Sequence, residues 1–278
     1  MIIDFHAHIF PDSLAKAALS RLVENLRRYE PNCDPNAPYT DATASGLADS
    51  QGAAGIDISV IMPIATSTKP SPTLNNFAAR INRMSEFCSF GSVHPKSPDA
   101  LHELERIREL GLRGIKLHPE YQGCYADDKD TVSVVRRAGE LGLYVLFHSG
   151  SDIGMPPPTH GAPEHFVRLR QAAPDTKIIL AHMGAFRMWE AAERLFPDMG
   201  FYIDTSFSLE VYPEQHERFA HLIRIIGTDH VLFGTDSPWA DQTYSLRVAR
   251  DFLKKHRFTQ HECDAILGGN AAALLGIR

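Results

Sequence analysis

Cysteine is scarce in this 278-residue chain. The four residues, Cys33, Cys88, Cys124 and Cys263, form no CxxC pair. That spacing excludes a disulfide framework and a thiolate zinc knot, and it fits a reducing compartment, so a cytoplasmic protein is expected. Positive charge is also short, with 28 Lys and Arg against 34 Asp and Glu and a formal net charge of −6. A general nucleic-acid binder needs a basic face to displace counterions, so no nucleic-acid partner is expected. No apolar run approaches the roughly 20 residues that span a bilayer. The opening MIIDFHAHIF has no basic stretch ahead of its apolar residues, so neither a secretory signal nor a membrane partner is expected. Neither GxGxxG nor GxxxxGK(S/T) follows a strand-like run, which removes the usual support for a nucleotide-binding fold.

What remains is an ordinary globular composition, 44% hydrophobic and 22% charged, with an unusual 14 His. Short β-rich runs alternate with helical patterns. The runs are Ile2–Ile9, Ile56–Ile64, Phe87–Val93, Gly114–His118, Leu143–His148, Lys177–His182, Gly200–Thr205 and His230–Thr235. ISVIMPI, LYVLF and KIIL are continuously apolar, as strands buried on both faces of a parallel sheet are. Between them, Ser97 and Pro98 read as N-cap and first helical residue, Leu101, Leu104, Ile107 and Leu110 follow at helical spacing, and Gly111 stops the helix. Asp127 to Gly142 repeats the arrangement. Eight strands alternating with helices fit an α/β fold of the (β/α)8 TIM-barrel type better than a doubly wound sheet. The chain reads as one barrel domain over residues 1–278. The longer first interval holds an inserted loop or cap near 29–45, with Pro31, Pro35 and Pro38.

His6 and His8 are two apart on the first strand, so both side chains face one way, into the barrel, and Asp4 shares that parity. A chain this rich in His forms such a pair by chance nearly as often as not, so the pair alone decides nothing. Position does. His148 ends the fifth strand, His182 the sixth and Asp236 the eighth. In a barrel the C-terminal strand ends converge on one face, where active sites lie. Residues more than 200 positions apart thus gather into a cluster suited to a divalent metal.

The pieces DFHAHIF, GIKLHP, VLFHSG, ILAHMG, FGTDSPW and GGNAAALLG, in that order along almost the whole chain, resemble the amidohydrolase superfamily. The similarity is to the amidohydrolase-related branch that includes aminocarboxymuconate-semialdehyde decarboxylase. The resemblance implies a barrel holding one catalytic divalent ion, with zinc first and Mn, Fe or Co as alternatives the same ligand types accept. It implies His6, His8 and His148 as metal ligands, Asp236 as ligand and proton acceptor, and His182 as the catalytic neighbour that orients water or the reacting group.

Such a site lowers the pKa of a bound water from 15.7 to roughly 7, so the leading expectation is hydrolysis of a small amide, lactone or ester. The same ligands could bind a phenolate or enol oxygen beside a carboxylate and protonate the carbon as CO2 leaves, so nonoxidative decarboxylation is the alternative. His118, Glu120 and Arg187 are candidates for substrate contact. An Arg near the mouth suits a substrate carboxylate, and a plain helix-surface Arg is the competing reading. Lys116 has the parity of His118 and is either a modified bridge to a second metal or a lysine paired with a carboxylate. His94 reads as a non-ligating residue at the mouth, and the proline-stiffened loop Asp152–His160 as a pocket wall or surface turn. A small-molecule substrate is the expected partner. A homodimer is suggested by fold analogy alone.

Overall fold

The computed structural model describes residues 1–31, 34, 36–69 and 72–277. Eight parallel strands run in chain order: β1 Ile3–Ala7, β2 Ile58–Ile61, β3 Phe87–Ser89, β4 Gly114–Leu117, β5 Tyr144–Phe147, β6 Ile178–Leu180, β7 Tyr202–Asp204 and β8 Val231–Leu232. Each falls inside its predicted run and is shorter, because the C-terminal residues of each run turn into the loops of the mouth. Among the described residues twelve α-helices accompany them: α1 Asp12–Tyr29, α2 Ala44–Ala54, α3 Pro72–Ile81, α4 Ala100–Glu109, α5 Pro119–Gln122 and α6 Lys129–Glu140 in the first half, then α7 Pro163–Ala172, α8 Trp189–Leu195, α9 His216–Ile226, α10 Gln242–Lys255, α11 Gln260–Asp264 and α12 Asn270–Leu275. Among the described residues no helix is long and apolar enough to cross a membrane.

Ladder pairing joins β1 to β3 in one run and β4 to β8 in another. Two seams close them into a (β/α)8 barrel. At one, Gly91 bridges Ile115, with Gly91 N donating to Gly114 O and Lys116 N to Gly91 O. At the other, Phe5 N donates to Phe233 O, Asp236 N to His6 O and His8 N to Ser237 O.

Alternation assigns the two faces of each strand. Ile115, Leu117, Val145, Phe147, Ile178 and Leu180 pack outward against the helices. Leu146 and Ile179 point inward, with Ile3, Phe5, Val60 and Phe90. Full burial of such a side chain contributes about 1.5–3 kcal/mol. Leu274 and Leu275 of α12 join that interior cluster, and Gly268 lies against the backbone of Met1 and Ile3, so the C-terminal segment covers the end where β1 begins.

Two local expectations are corrected. The register between β1 and β2 shifts between Asp4 and Ala7, because one extra residue sits in β1. Such a bulge re-aims the side chains that follow it. Phe5 and His6 therefore both face inward, whereas Asp4 faces α10. There its carboxylate accepts from Thr235 N (2.9 Å), Thr235 Oγ (2.6 Å), Gln242 Nε2 (2.8 Å) and His6 N (3.1 Å). The helix expected from Ser97 and Pro98 starts later, at Ala100 after Asp99, because Ala100 N first closes a turn onto Ser97 O. Gly111 follows α4 at φ +79°, as a stop residue should.

Helix α1 and the segment after it lie over the mouth, and Leu22, Leu26, Glu30, Asp34 and Tyr39 line the cavity there. Of that segment, Cys33 and Pro35 lie outside the described residues.

Asp4 ties the last strand and α10 to the first strand. Asp4→Ala leaves buried donors without an acceptor and is expected to lower unfolding free energy by about 3 kcal/mol, against about 1 kcal/mol for Thr235→Ala. Urea unfolding of the two variants checks the difference.

Candidate metal centre

The closing seam places the first part of the site. Because Asp236 N donates to His6 O at 2.8 Å, the end of β8 is held against the end of β1. Asp236 has φ +70° and His182 φ +58°. Non-glycine residues in this left-handed region cost of order 1–3 kcal/mol and persist where the surroundings fix them, commonly at functional sites. His6 Nε2, His8 Nε2 and one Asp236 oxygen come within 4.8 Å of one another. The distances to Asp236 Oδ1 are 3.4 Å from His6 and 3.1 Å from His8.

The partners of the opposite ring nitrogens fix which way the lone pairs point. His8 Nδ1 meets the carbonyl of Met62 at 2.8 Å, and a carbonyl only accepts, so the proton sits on Nδ1. His6 Nδ1 likewise donates to Asp204 Oδ2 at 2.8 Å. The Asp204 carboxyl stays well below the usual carboxylate range although burial opposes this, because His6 lies against it and bonds to it. Both Nε2 lone pairs are thus turned toward Asp236, itself held ionised against burial by its His neighbours. Two lone pairs and an anion repel unless positive charge lies among them. A proton on His6 is disfavoured, since burial and then Lys116 push it down to about 3. The Lys116 ammonium meets one lone pair, 3.1 Å from His6 Nε2. The donor set fits a divalent cation, with the second nitrogen of each ring anchored as such sites require.

His148 and His182 form the second part. His148 Nε2 donates to Ser151 O at 3.0 Å. His182 Nδ1 meets Ser206 O at 3.1 Å and Ser206 Oγ at 3.0 Å. The single proton of Ser206 Oγ goes to Asp204 Oδ1 at 2.5 Å, so toward His182 that hydroxyl accepts. The remaining nitrogens, His148 Nδ1 and His182 Nε2, face each other at 3.1 Å. They too need a proton or another cation between them. The four expected metal ligands therefore separate in this structure. His6, His8 and Asp236 form one triad, and His148 belongs to a second with His118 and Asp152. The His118 and His148 rings stack with centroids 4.2 Å apart, and burial holds both imidazoles well below their usual range.

Lys116 lies between these groups, with burial pushing it down to about 8 while Asp204, Asp236 and Asp152 oppose. The cavity above measures about 400 Å³, and both Lys116 and Arg187 line it. Phe10, Tyr121, Phe186, Phe207, Tyr212 and Trp239 supply aromatic surface. His118 also lines it. Glu120, expected near the substrate, instead pins the loop after β5, accepting from His160 N (2.7 Å), Gly161 N (3.0 Å) and the His160 ring (2.7 Å). Arg187 stands at the wall with its guanidinium on Glu30 (2.9 Å) and the Tyr212 hydroxyl (2.7 Å). His94 lines a separate cavity, beside Pro72 and His102.

Sequence reasoning missed Asp204, Ser206, Tyr121 and Glu210. Asp204 ends the seventh strand, in the same position that singled out His148 and His182, so the rule that found those residues would have found it.

A family model described as Amidohydrolase matches residues 3–277. Curated protein sequences give no match. Among solved structures the chain is similar to the 5-carboxyvanillate decarboxylase LigW from Sphingomonas paucimobilis, at 20% identity and a TM-score of 0.71, covering 100% of this chain and 99% of that one. It is similar to the LigW2 5-carboxyvanillate decarboxylase from Novosphingobium aromaticivorans, a structure with bound manganese and 3-methoxy-4-hydroxy-5-nitrobenzoic acid. There the identity is 16% and the TM-score 0.74, over 100% of this chain and 97% of that one. It is also similar to 2,6-dihydroxybenzoate decarboxylase from Rhizobium, at 18% identity and a TM-score of 0.66, over 99% and 98% of the two chains.

Addition of Mn2+ or Zn2+ to metal-depleted protein is expected to raise its melting temperature, since an ion that binds only the folded state stabilises it. His8→Ala should abolish that rise. Asp204→Asn, which leaves all ligands in place, should weaken metal affinity about 10–100-fold. Calorimetric metal titration of the three proteins checks this order.

Proposed function

The chain belongs to the amidohydrolase family, and from that premise we propose that it is a metal-dependent nonoxidative decarboxylase of a small hydroxylated aromatic or enol carboxylic acid. One observation carries this reading. A single cavity holds the His6, His8 and Asp236 triad, aromatic walls, and the two cations Lys116 and Arg187. Hydrolysis of an amide, lactone or ester, the leading expectation from sequence, would use the same triad but has no need of cations for a carboxylate. The occurrence of 5-carboxyvanillate and 2,6-dihydroxybenzoate decarboxylases among structures of the same fold supports the choice.

His6, His8 and Asp236 would hold a divalent ion, and His148 would join them as fourth ligand by turning over the Nδ1 that otherwise faces His182. When bound, that ion supplies a Lewis acid for neighbouring substrate oxygens. The remaining work falls to the chain. Aromatic side chains take the ring and exclude water. Arg187 exchanges Glu30 for the substrate carboxylate, a pairing its planar fork suits. Asp236, an ionised carboxylate, takes the proton of the substrate hydroxyl and delivers it to the carbon that carries the carboxylate. The carbon–carbon bond then breaks, its electron pair returns to the ring, and carbon dioxide leaves. The product oxygen regains a proton from water. His182 Nδ1 donates to Ser206 O, so its Nε2 is turned toward the same region and would orient the reacting group.

Protein loaded with Mn2+ or Zn2+ is expected to release carbon dioxide from 2,6-dihydroxybenzoate or 5-carboxyvanillate, and in D2O to place deuterium on the vacated carbon. Asp236→Asn should lower turnover about 100-fold or more, and Arg187→Ala should raise KM about tenfold. Hydrolysis of amide, lactone or ester substrates without carbon dioxide release from any hydroxylated acid overturns the reading.

A further inference from the structure

One half-buried titratable group in the cavity has no part in that scheme. Glu210 follows β7, in the turn that leads to Tyr212, and its side chain lines the same cavity as the triad. Its Oε1 is cut off from solvent and turned to the Ser245 hydroxyl of α10, which leaves Oε2, bonded to no protein group, as the oxygen that meets the cavity. Folded proteins leave few buried polar atoms unpaired, because each loses its water without replacement. A carboxyl oxygen left over at the wall of a ligand cavity is a place where the molecule reserves hydrogen-bonding capacity for something it binds.

We propose that Glu210 is a specificity residue, whose carboxyl group receives a second substrate oxygen, a ring hydroxyl distinct from the one at the triad. The proposal rests on the reading of the substrate as a hydroxylated aromatic acid. Charge supports it. Burial pushes Glu210 up to about 8, and Asp236 and Asp4 add to this. At neutral pH the group is therefore a carboxylic acid, a donor as well as an acceptor. An ionised carboxylate at this wall would repel an anionic substrate, whereas a neutral acid does not. It hydrogen-bonds a hydroxyl and favours the substrate that carries one over the analogue that does not. Because the Ser245 hydroxyl is the one side chain that Glu210 bonds, removal of the carboxyl group should not unfold the chain.

The test compares manganese-loaded wild type, Glu210→Gln and Glu210→Leu on 2-hydroxybenzoate and on the 2,3-, 2,4-, 2,5- and 2,6-dihydroxybenzoates. It reads kcat/KM by carbon dioxide release and Kd by calorimetry. Wild type is expected to prefer at least one dihydroxy isomer about tenfold over 2-hydroxybenzoate. In Glu210→Leu that ratio should fall to within about twofold of unity, and in Glu210→Gln, which keeps a neutral donor and acceptor, most of it should survive. Glu210→Leu retaining the wild-type preference overturns the assignment, as does a wild type with no preference or no binding in either readout. Glu210-dependent preference in calorimetry without carbon dioxide release from any isomer sinks the decarboxylase reading and leaves Glu210 standing. Carbon dioxide release with the same isomer ratios in all three proteins does the reverse.

Discussion

Closure of the sheet is the constraint on which the rest of this molecule depends. Three backbone hydrogen bonds join the end of the eighth strand to the first, and one of them runs from Asp236 N to His6 O. Parallel neighbours present their C-terminal ends on the same side, so closing the ring carries every strand-end residue to one mouth. Without that seam Asp236 and His6 are separated by nearly the whole chain. With it, a carboxylate and two imidazoles share a few ångströms. The outward side of the same seam is secured by Asp4, whose carboxylate gathers donors from β1, the residues after β8 and α10.

Burial then turns proximity into chemistry. In water, histidines and aspartates at such spacing would settle their charges by taking up protons. Here burial disfavours the imidazolium of His6, and the second nitrogen of each ring is committed to Asp204 or to a backbone carbonyl. The lone pairs are left facing inward with no choice of direction. Lys116 supplies one positive charge in this setting, and the triad is complementary to another. The same logic repeats between His148 and His182, where two committed rings present facing nitrogens. Electron-rich groups fixed in advance around one region cost no reorganisation when an ion or a developing charge arrives.

The mouth decides what reaches that region. Helix α1 and the segment after it, the turn after β7 and the loop after β5 all contribute walls, and none of them belongs to the repeating strand–helix plan. Arg187 connects two of these walls, through Glu30 and Tyr212. Glu120 does its work out of the cavity, fixing the backbone of the loop that carries Asp152. A single barrel can serve many reactions because such walls vary independently of the strands that hold the ligands.

Much of this was legible in the chain. Period-two patterning and apolar runs located all eight strands, since burial on both faces leaves a local signature. The rule that strand ends converge singled out His148, His182 and Asp236 from a His-rich background. The rest depended on relations between distant residues. The bulge after Asp4 is a property of the pairing between β1 and β2, so parity counted along β1 alone misplaced Asp4. The commitment of each ring nitrogen depends on which acceptor lies across the barrel, and Asp204 is an acceptor for His6 only after closure. The separation of His148 from the His6 triad, and the unpaired oxygen of Glu210, are likewise facts of packing. Sequence by itself determined which groups the chain can offer and which way each strand must run, because these are local. Tertiary structure alone decided which of those groups meet, because only the closed barrel sets the distances and the dielectric in which their charges compete.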